Sequence, residues 1–587
     1  MNPLLAHVTG TGLDDWAIVA VPLLGLLAIT GALARPNGGR SVLARISDRL
    51  EKVTGIAGWA AATIGIGLGA LSIAVIGFYW DVAWHIDLGR DKELFTPAHD
   101  MILLGLLLIP VAAGAAIVLA SVTRAETRLR VGALRVPWSS LALGAIGLGA
   151  LTGFPLDELW HRAYGIDVTM WGPTHLMMIG GASITPIALW LVFRESGASV
   201  KERVPRTIAI VLAGATLTGL STFQGEFDFG VPQFQLLYHP VLVAGAAAGA
   251  LTLARIVLGR WGALKAVVGF LAIRGLVALL VGGMLGHTEP RFPLYIGAAL
   301  AVELVARLAG TENRLRFAAW SGVACATLGL GAEWGWTHVW GLHPWNGDLI
   351  PDAPILALVA AVSAATLAAG LATIARGEFE TPAEPAVRPV RFGIVAVSLI
   401  ALAVAIALPF KRTSSDDVTA AISLARVGDS ALVDVTLSPA DAAEGAAWFE
   451  AMSWQSGRLV LAPLERIGSG RYRTAVPLPV TGGAKTLVRL HRGSEIMAVP
   501  IYLPADPEIG AEEIPAVDRT ATFARDSRLL MRESRTGNPL TARFVFGTQA
   551  SIVVAWIAVI GFAALRVGRP DRTTIKRKGR RFRFAAA

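Results

Sequence analysis

Cysteine is almost missing: Cys325 stands alone in 587 residues. No internal disulfide can form and no thiolate-built metal site is possible, so disulfide scaffolds and zinc ribbons are excluded. Charge is scarce too, at 16% against 54% hydrophobic residues. That balance excludes a soluble enzyme and a disordered chain. No Gly-rich phosphate loop and no nucleophile elbow stands out. What is abundant is glycine, 63 residues, which with many alanines suits close helix packing in lipid.

The formal net charge of +9 invites a nucleic-acid reading, and the distribution removes it. Arg566, Arg569, Arg572, Lys576, Arg577, Lys578, Arg580, Arg581 and Arg583 gather at the C-terminal end beside one acid, Asp571. Without that tail the remainder carries 43 Lys+Arg against 42 Asp+Glu. A basic tail directly after an apolar run reads as a topology anchor on anionic lipid, not as a nucleic-acid arm.

Apolar runs fall at 16–34, 55–80, 100–122, 137–155, 175–193, 207–222, 240–258, 266–286, 293–309, 317–333, 353–375, 392–409 and 548–567. Each can supply a helix of about 20 residues, which predicts an all-α polytopic membrane protein of about 13 transmembrane helices. No charged region precedes the first run, so no cleaved signal peptide is expected. Positive charge alternates between the loops. Arg40, Arg45, Arg49 and Lys52; Arg124, Arg128, Arg130 and Arg135; Arg194, Lys201, Arg203 and Arg206; Arg260 and Lys265; Arg314 and Arg316; and Arg376, Arg388 and Arg391 fall on one side with the tail. The positive-inside rule makes that side cytoplasmic and puts the N-terminus outside, in a cytoplasmic (inner) membrane.

The expected organisation is a multi-helix transmembrane domain over 1–410, a β-sandwich outside the membrane over 411–520, a linker over 521–547, a last helix over 548–567 and a basic tail over 568–587. The β-domain rests on alternating runs such as 430–437, 457–462 and 485–490 between Gly, Pro and Ser turns.

Ten histidines occur: His7, His85, His99, His161, His175, His239, His287, His338, His343 and His491. On this topology all ten lie outside or at the outer ends of spans. Histidine is the commonest metal ligand, and such one-sidedness suits an outward-facing metal site. The strongest signal is an internal repeat. Asp81, Trp84, His85, Gly89, Asp91, Pro97 and His99 recur 76 residues later as Asp157, Trp160, His161, Gly165, Asp167, Pro173 and His175. Asp and His four apart share one helix face. The second His opens the next helix after a Gly/Pro turn, so each hairpin can gather one carboxylate and two imidazoles. That donor set suits copper, zinc or non-haem iron with positions left open. Asp91 and Asp167 are candidate partners for a ring N–H. The competing reading is a His–Asp network that braces each hairpin without metal.

Weaker echoes follow. Glu226, Asp228 and His239 repeat the hairpin plan with one residue fewer; His287 sits at a further turn; Glu333, His338 and His343 lie among Trp334, Trp336, Trp340 and Trp345. These are additional candidate ligands or supporting residues, against the alternative of an interfacial aromatic belt. Arg274 and Glu303 read as a charge pair between adjacent spans. In the β-domain, His491, Met452 and Met497 lack cupredoxin-like spacing.

The run Asp81-x-x-Trp84-His85, then Arg90-Asp91-x-x-x-Phe95-Thr96-Pro97-x-His99, resembles the metal motif of the C subunit of particulate methane and ammonia monooxygenases. The resemblance implies that Asp81, His85 and His99 bind copper near the outer membrane face. The second copy carries the same triad, Asp157, His161 and His175, without the Arg-Asp-x-x-x-Phe-Thr segment. The stretch covers about 20 residues, or 40 with the repeat. The spacing between the two histidines is one residue longer than in that family, the spans are about twice as many, and a β-domain is fused on. What the resemblance implies is a copper membrane monooxygenase, or its C-subunit-like component, oxidising a small apolar substrate or ammonia with O2. Electrons would come from a quinol or another donor, because no haem or flavin motif is seen, and further membrane subunits and an oligomer are expected. The alternatives are a non-catalytic copper handling or assembly protein and a structural membrane subunit without metal.

Overall fold

A computed structural model describes residues 24–25, 28–36, 39–90, 95–127, 129–165, 169–376, 387–407 and 417–568. Most of the apolar run 16–34, His7, and the basic tail from 569 lie outside the described residues. An amphipathic helix α1 (Val42–Thr54) leads into two long hairpins: α2 (Gly58–Asp87) with α3 (Pro97–Val122), and α4 (Trp138–Tyr164) with α5 (Pro173–Glu195). A small ribbon, β1 (Leu129–Val131) and β2 (Leu134–Val136), joins the hairpins at the end away from the repeated motif. Then come α6 (Arg203–Ser221), the short α7 (Gly225–Phe229), α8 (Tyr238–Leu258), α9 (Gly262–Ala278), α10 (Ile296–Ala309), α11 (Arg314–Ala324), α12 (Leu330–Trp340), α13 (Asp352–Arg376) and α14 (Val387–Ala407).

Among the described residues ten helical segments are long and apolar enough to cross a membrane. One expected span falls short. Helix α10 has 14 residues, which rise about 21 Å against a hydrocarbon core of about 30 Å. Two spans are also interrupted: π-helical turns occupy Leu279–Met284 after α9 and Cys325–Gly329 between α11 and α12.

The two hairpins are built alike well beyond the motif. A Cβ at Gly77 would lie 2.8 Å from that of Met101, and one at Gly153, 76 residues on, 3.3 Å from that of Met177. Gly105 meets Ala74 as Gly181 meets Ala150, and Pro110 in α3 matches Pro186 in α5. Each pair sits at the same offset. The packing therefore extends the duplicated unit to 74–110 and 150–186, because glycine lets the helix backbones approach where any side chain would hold them apart. Helix α2 also packs on α5, with Gly67 against Leu189, which brings the two hairpins side by side.

Strands β3 (Thr419–Val427) to β12 (Ala524–Arg525) form the β-domain. The expected sandwich of two sheets is replaced by one ten-stranded ladder that curls almost closed. With β4 (Ser430–Ser438), β5 (Trp448–Trp454), β6 (Val460–Gly468), β7 (Arg471–Thr474), β8 (Leu478–Pro479), β9 (Lys485–Arg492), β10 (Glu495–Tyr502) and β11 (Arg519–Thr522), the order is β11-β3-β4-β7-β6-β5-β9-β10-β12, with β8 on β4. The ends of the ladder are neighbours in sequence: β11 (Arg519–Thr522) and β12 are separated by buried Phe523 alone, whose N–H donates to Val418. The alternation read from the sequence is correct: Ala431, Val433, Val435 and Leu437 of β4 face the interior. Period 2 fixes which side chains are inside; it does not say whether a sheet splits or closes. After β12 come the short α15 (Asp526–Leu530) and α16 (Pro539–Val567). The last helix starts before residue 548, because Asn538 accepts the Leu540 N–H and Pro539 sits at the first helical position.

The β-domain sits on the helix ends that carry the repeat. Arg489, fully buried on β9 (Lys485–Arg492), donates to Asp526 at 2.7 Å and to the Pro232 carbonyl at 2.6 Å. His491 accepts the Leu236 N–H at 2.9 Å, and His343 bonds Glu450 of β5 (Trp448–Trp454) at 3.0 Å.

Candidate metal centre

Asp81 and His85 occupy the last turns of α2, one turn apart, and face across to the start of α3. There Thr96 is the N-cap, its hydroxyl accepting the His99 N–H, and Pro97 opens the helix. The Thr-Pro-x-His sequence is thus a helix start that delivers His99 to the third helical position. His99 Nε2 lies 3.1 Å and His85 Nε2 3.6 Å from Asp81 Oδ1. The second hairpin repeats the plan. His175 Nε2 is 3.4 Å from Asp157 Oδ1 and His161 Nε2 3.8 Å from Asp157 Oδ2. The Thr174 hydroxyl donates to Asp157 Oδ1 at 2.5 Å.

In each triad the three ligand atoms lie within 4.8 Å of one another, and among the described residues these are the two such groups of three His, Cys, Asp or Glu. A metal bonded at about 2.0–2.2 Å to nitrogen and oxygen holds neighbouring ligand atoms about 3–4 Å apart, so the donor sets fit one. The tautomers fit as well. His85 Nδ1 faces the Gly89 carbonyl at 3.1 Å and His175 Nδ1 faces the Thr169 carbonyl at 2.7 Å. A carbonyl only accepts, so each Nδ1 carries a proton and a neutral ring is left with its lone pair on Nε2, toward the carboxylate. The triads are neighbours: His175 lies near enough to Asp81 to contribute to its electrostatic surroundings.

Glu226 supports the second triad from behind. It accepts the Thr169 hydroxyl at 2.9 Å, the Met170 N–H at 3.2 Å and the Gln233 N–H at 3.0 Å. It thereby fixes the strand of chain whose carbonyl orients His175. Asp87, which the sequence reading passed over, plays a comparable part beside the first triad. It takes His287 Nδ1 at 2.9 Å and the Thr288 N–H at 2.8 Å, and the Thr288 hydroxyl as well. Asp87 falls six residues after Asp81, off the helix face that carries Asp81 and His85, and nothing in the periodicity marks it.

The remaining candidates have other partners. Asp228 accepts from Arg274 at 2.7 Å and from the Tyr79 hydroxyl at 3.3 Å. Arg274 therefore pairs with Asp228 and not with Glu303, which instead binds Arg255 and the N–H groups of Trp261 and Ala263. His239 accepts from the Trp345 indole at 3.1 Å and stacks on Phe227. Glu333 caps the Leu294 and Tyr295 N–H groups at the start of α10. His338 bonds the Trp334 carbonyl one turn back on its own helix. These carboxylates and rings are taken up by backbone and side-chain groups that sequence spacing cannot see. Asp91 and Asp167 lie outside the described residues.

No protein-family model, no curated protein and no solved structure matches this chain. The duplicated donor sets are therefore the main guide to what it does.

Proposed function

We propose that this chain is a copper-binding integral membrane protein. Asp81, His85 and His99 hold one ion and Asp157, His161 and His175 hold a second. We further propose that it is a monooxygenase, or a C-subunit-like component of one, oxidising a small apolar substrate or ammonia with O2. The metal part rests on one observation made twice. An imidazole whose Nδ1–H is committed to a carbonyl turns its Nε2 on a carboxylate oxygen 3.6 Å away in the first triad and 3.4 Å away in the second. Such a contact needs a shared cation, either a metal ion or a second ring proton, and the third donor gathered within 4.8 Å in each triad favours the metal.

Copper bound there supplies one-electron chemistry toward O2. The chain's own residues provide the charge and the access. One carboxylate per ion offsets its charge, and two neutral rings complete a three-ligand set with a position open. The ligand side chains keep 18–23% of their surface exposed in the first triad and 13–23% in the second, enough for a small molecule to approach. Trp84 packs on Trp80 and His287, and Trp160 on Tyr164 and Phe546, so each hairpin end carries an aromatic cluster beside its triad. The resemblance noted above carries the oxygenase part, and a quinol or a partner subunit is the proposed electron source. The positive-inside pattern puts the triads and the β-domain outside the cytoplasmic membrane.

A second reading, copper storage or delivery without turnover, is favoured by the placement of all six ligands at one end of the helices. A transporter carries ligands through the depth of the bilayer.

The test is elemental analysis of protein purified from native membranes beside a His85→Ala/His161→Ala double variant. Copper in the wild type, lost in a variant that still folds, is the expected result. A well-folded wild type that takes up neither copper nor zinc on reconstitution overturns the proposal and leaves the triads as hydrogen-bonded braces. Oxygen uptake with a reductant then separates the two readings.

A further inference from the structure

The ends of α2 and α4 are finished by other parts of the chain. A helix leaves its last four carbonyls without partners. On α2 the Ile86 carbonyl accepts the Gln455 N–H at 2.8 Å and the Asp87 carbonyl accepts the Gly457 N–H at 3.0 Å, both from the β-domain. On α4 the Tyr164 carbonyl accepts the Arg535 N–H at 2.7 Å, and the Arg162 carbonyl accepts the Arg535 guanidinium. Arg535 lies in the tether between the β-domain and α16. Ile86 and Arg162 are equivalent positions of the repeat.

The repeated glycines have the same explanation. Gly89 and Gly165 both have positive φ, 98° and 81°. A Cβ at Gly89 would meet the Gln455 side chain, and one at Gly165 would collide with the Glu533 carbonyl. The motif keeps glycine where the outer parts of the chain press on each hairpin. Next to Gly89, Arg90 donates to Asp506 at 2.9 Å and to Glu508 at 2.6 Å, and its guanidinium lies 3.7 Å from Glu533. Glu533 also binds Lys485 of β9 at 3.2 Å. One tether residue therefore touches both hairpins, through its side chain at one and its carbonyl at the other.

We infer that the β-domain and its tether form a clamp that sets the geometry of both triads, with Arg90 the positioning residue for the first and Arg535 for the second. This inference rests on the metal reading for its consequence and on the capping contacts for its geometry. Arg90 follows His85 by five residues, and its three carboxylate partners fix the chain where it leaves the Gly89 carbonyl that orients the His85 ring. Arg535 does the same for the end of the helix that carries His161.

The experiment uses the full-length protein in detergent, with copper(II) as the probe. Backgrounds carrying His161→Ala or His85→Ala leave a single triad each. In the first background, Arg90→Ala is expected to weaken copper(II) binding about 10- to 100-fold, the range for losing a ligand-orienting contact, and to change the copper EPR spectrum. Arg535→Ala is expected to do so in the second background and to leave the first triad alone. Arg90→Lys, which keeps the charge but loses the fork, should recover part of the loss. It also serves if the alanine variant does not fold. In metal-free protein, amide exchange should rise at 84–90 in Arg90→Ala and at 160–165 in Arg535→Ala. Unchanged binding, spectra and exchange in both variants overturn the clamp even if the wild type holds copper. A wild type that binds no copper overturns the metal reading, and the exchange data still decide the clamp.

Discussion

Neutral histidine has one donor and one acceptor nitrogen, and a nearby carbonyl decides which is which. That single constraint makes Glu226 testable. Its three accepted hydrogen bonds hold the 169–170 segment whose carbonyl orients His175. Glu226→Gln replaces one acceptor oxygen with a donor and leaves an N–H unpaired. Copper affinity of the second triad should fall about 10-fold or more, with the first triad unaffected, in the same single-triad titrations. Arg274 is a second residue-scale case. It is 1% exposed, paired to Asp228 at 0% and sandwiched between the Tyr79 and Phe292 rings. Arg274→Met strands a buried carboxylate, a loss of about 3–5 kcal/mol. Adding Asp228→Leu should return most of it, since an apolar pair replaces both charges. Unfolding of the two variants in detergent checks this, and a double variant no more stable than the single would refute it.

At the scale of elements, the hairpins hold by backbone approach. A Cβ at Gly105 would sit 2.7 Å from that of Ala74, and one at Gly181 would sit 2.5 Å from that of Ala150. Gly105→Val and Gly181→Val should each cost about 1–3 kcal/mol by overpacking, with loss of copper from the hairpin concerned and not from its neighbour. Thermal melting and metal content read the two effects. The existence of these helices was plain in the sequence, because long apolar runs admit few other structures in lipid. The short α10 and the π-turns after α9 and α11 were not. Hydropathy sums over a window and does not report where the hydrogen-bond ladder slips by one residue. The repeat was read only over Asp81–His99 and its copy, since Gly77/Gly153 and Gly105/Gly181 are single small residues among many in the sequence. They become visible once each is seen against its facing helix.

For the whole molecule the question is how the β-domain stays docked, and His491 gives it a pH dependence. Burial lowers its pKa to about 3, helped by Arg489 and His343 and opposed by the Glu495 carbonyl. The geometry agrees: Nε2 must keep its lone pair to accept the Leu236 N–H, while Nδ1–H donates to Glu495. A histidine lowered on folding takes up a proton in the unfolded state first. Stability contributed by the docked form is therefore complete above about pH 6.5 and falls as pH drops toward 3, by at most about 1.4 kcal/mol per unit. Melting of the wild type between pH 7 and 4.5 should show this slope, and His491→Gln should flatten it. An equal slope in both would assign the acid sensitivity to other groups.

Legible in the sequence alone were many helices apolar and long enough to cross lipid, a β-rich part before the last helix, and two equal Asp-His-His sets 76 residues apart. They could be read because apolar length, strand alternation and repeated spacing are local quantities, each readable within one turn or one run. Tertiary structure alone decided that the strands curl into one nearly closed sheet, that Arg274 chooses Asp228 over Glu303, and that His239, Glu333 and His343 are engaged elsewhere. It also decided that the ends of α2 and α4 are capped by residues more than 350 positions away. Those outcomes depend on which unpaired donor meets which unpaired acceptor across the packed interior, and chain order does not encode that distance.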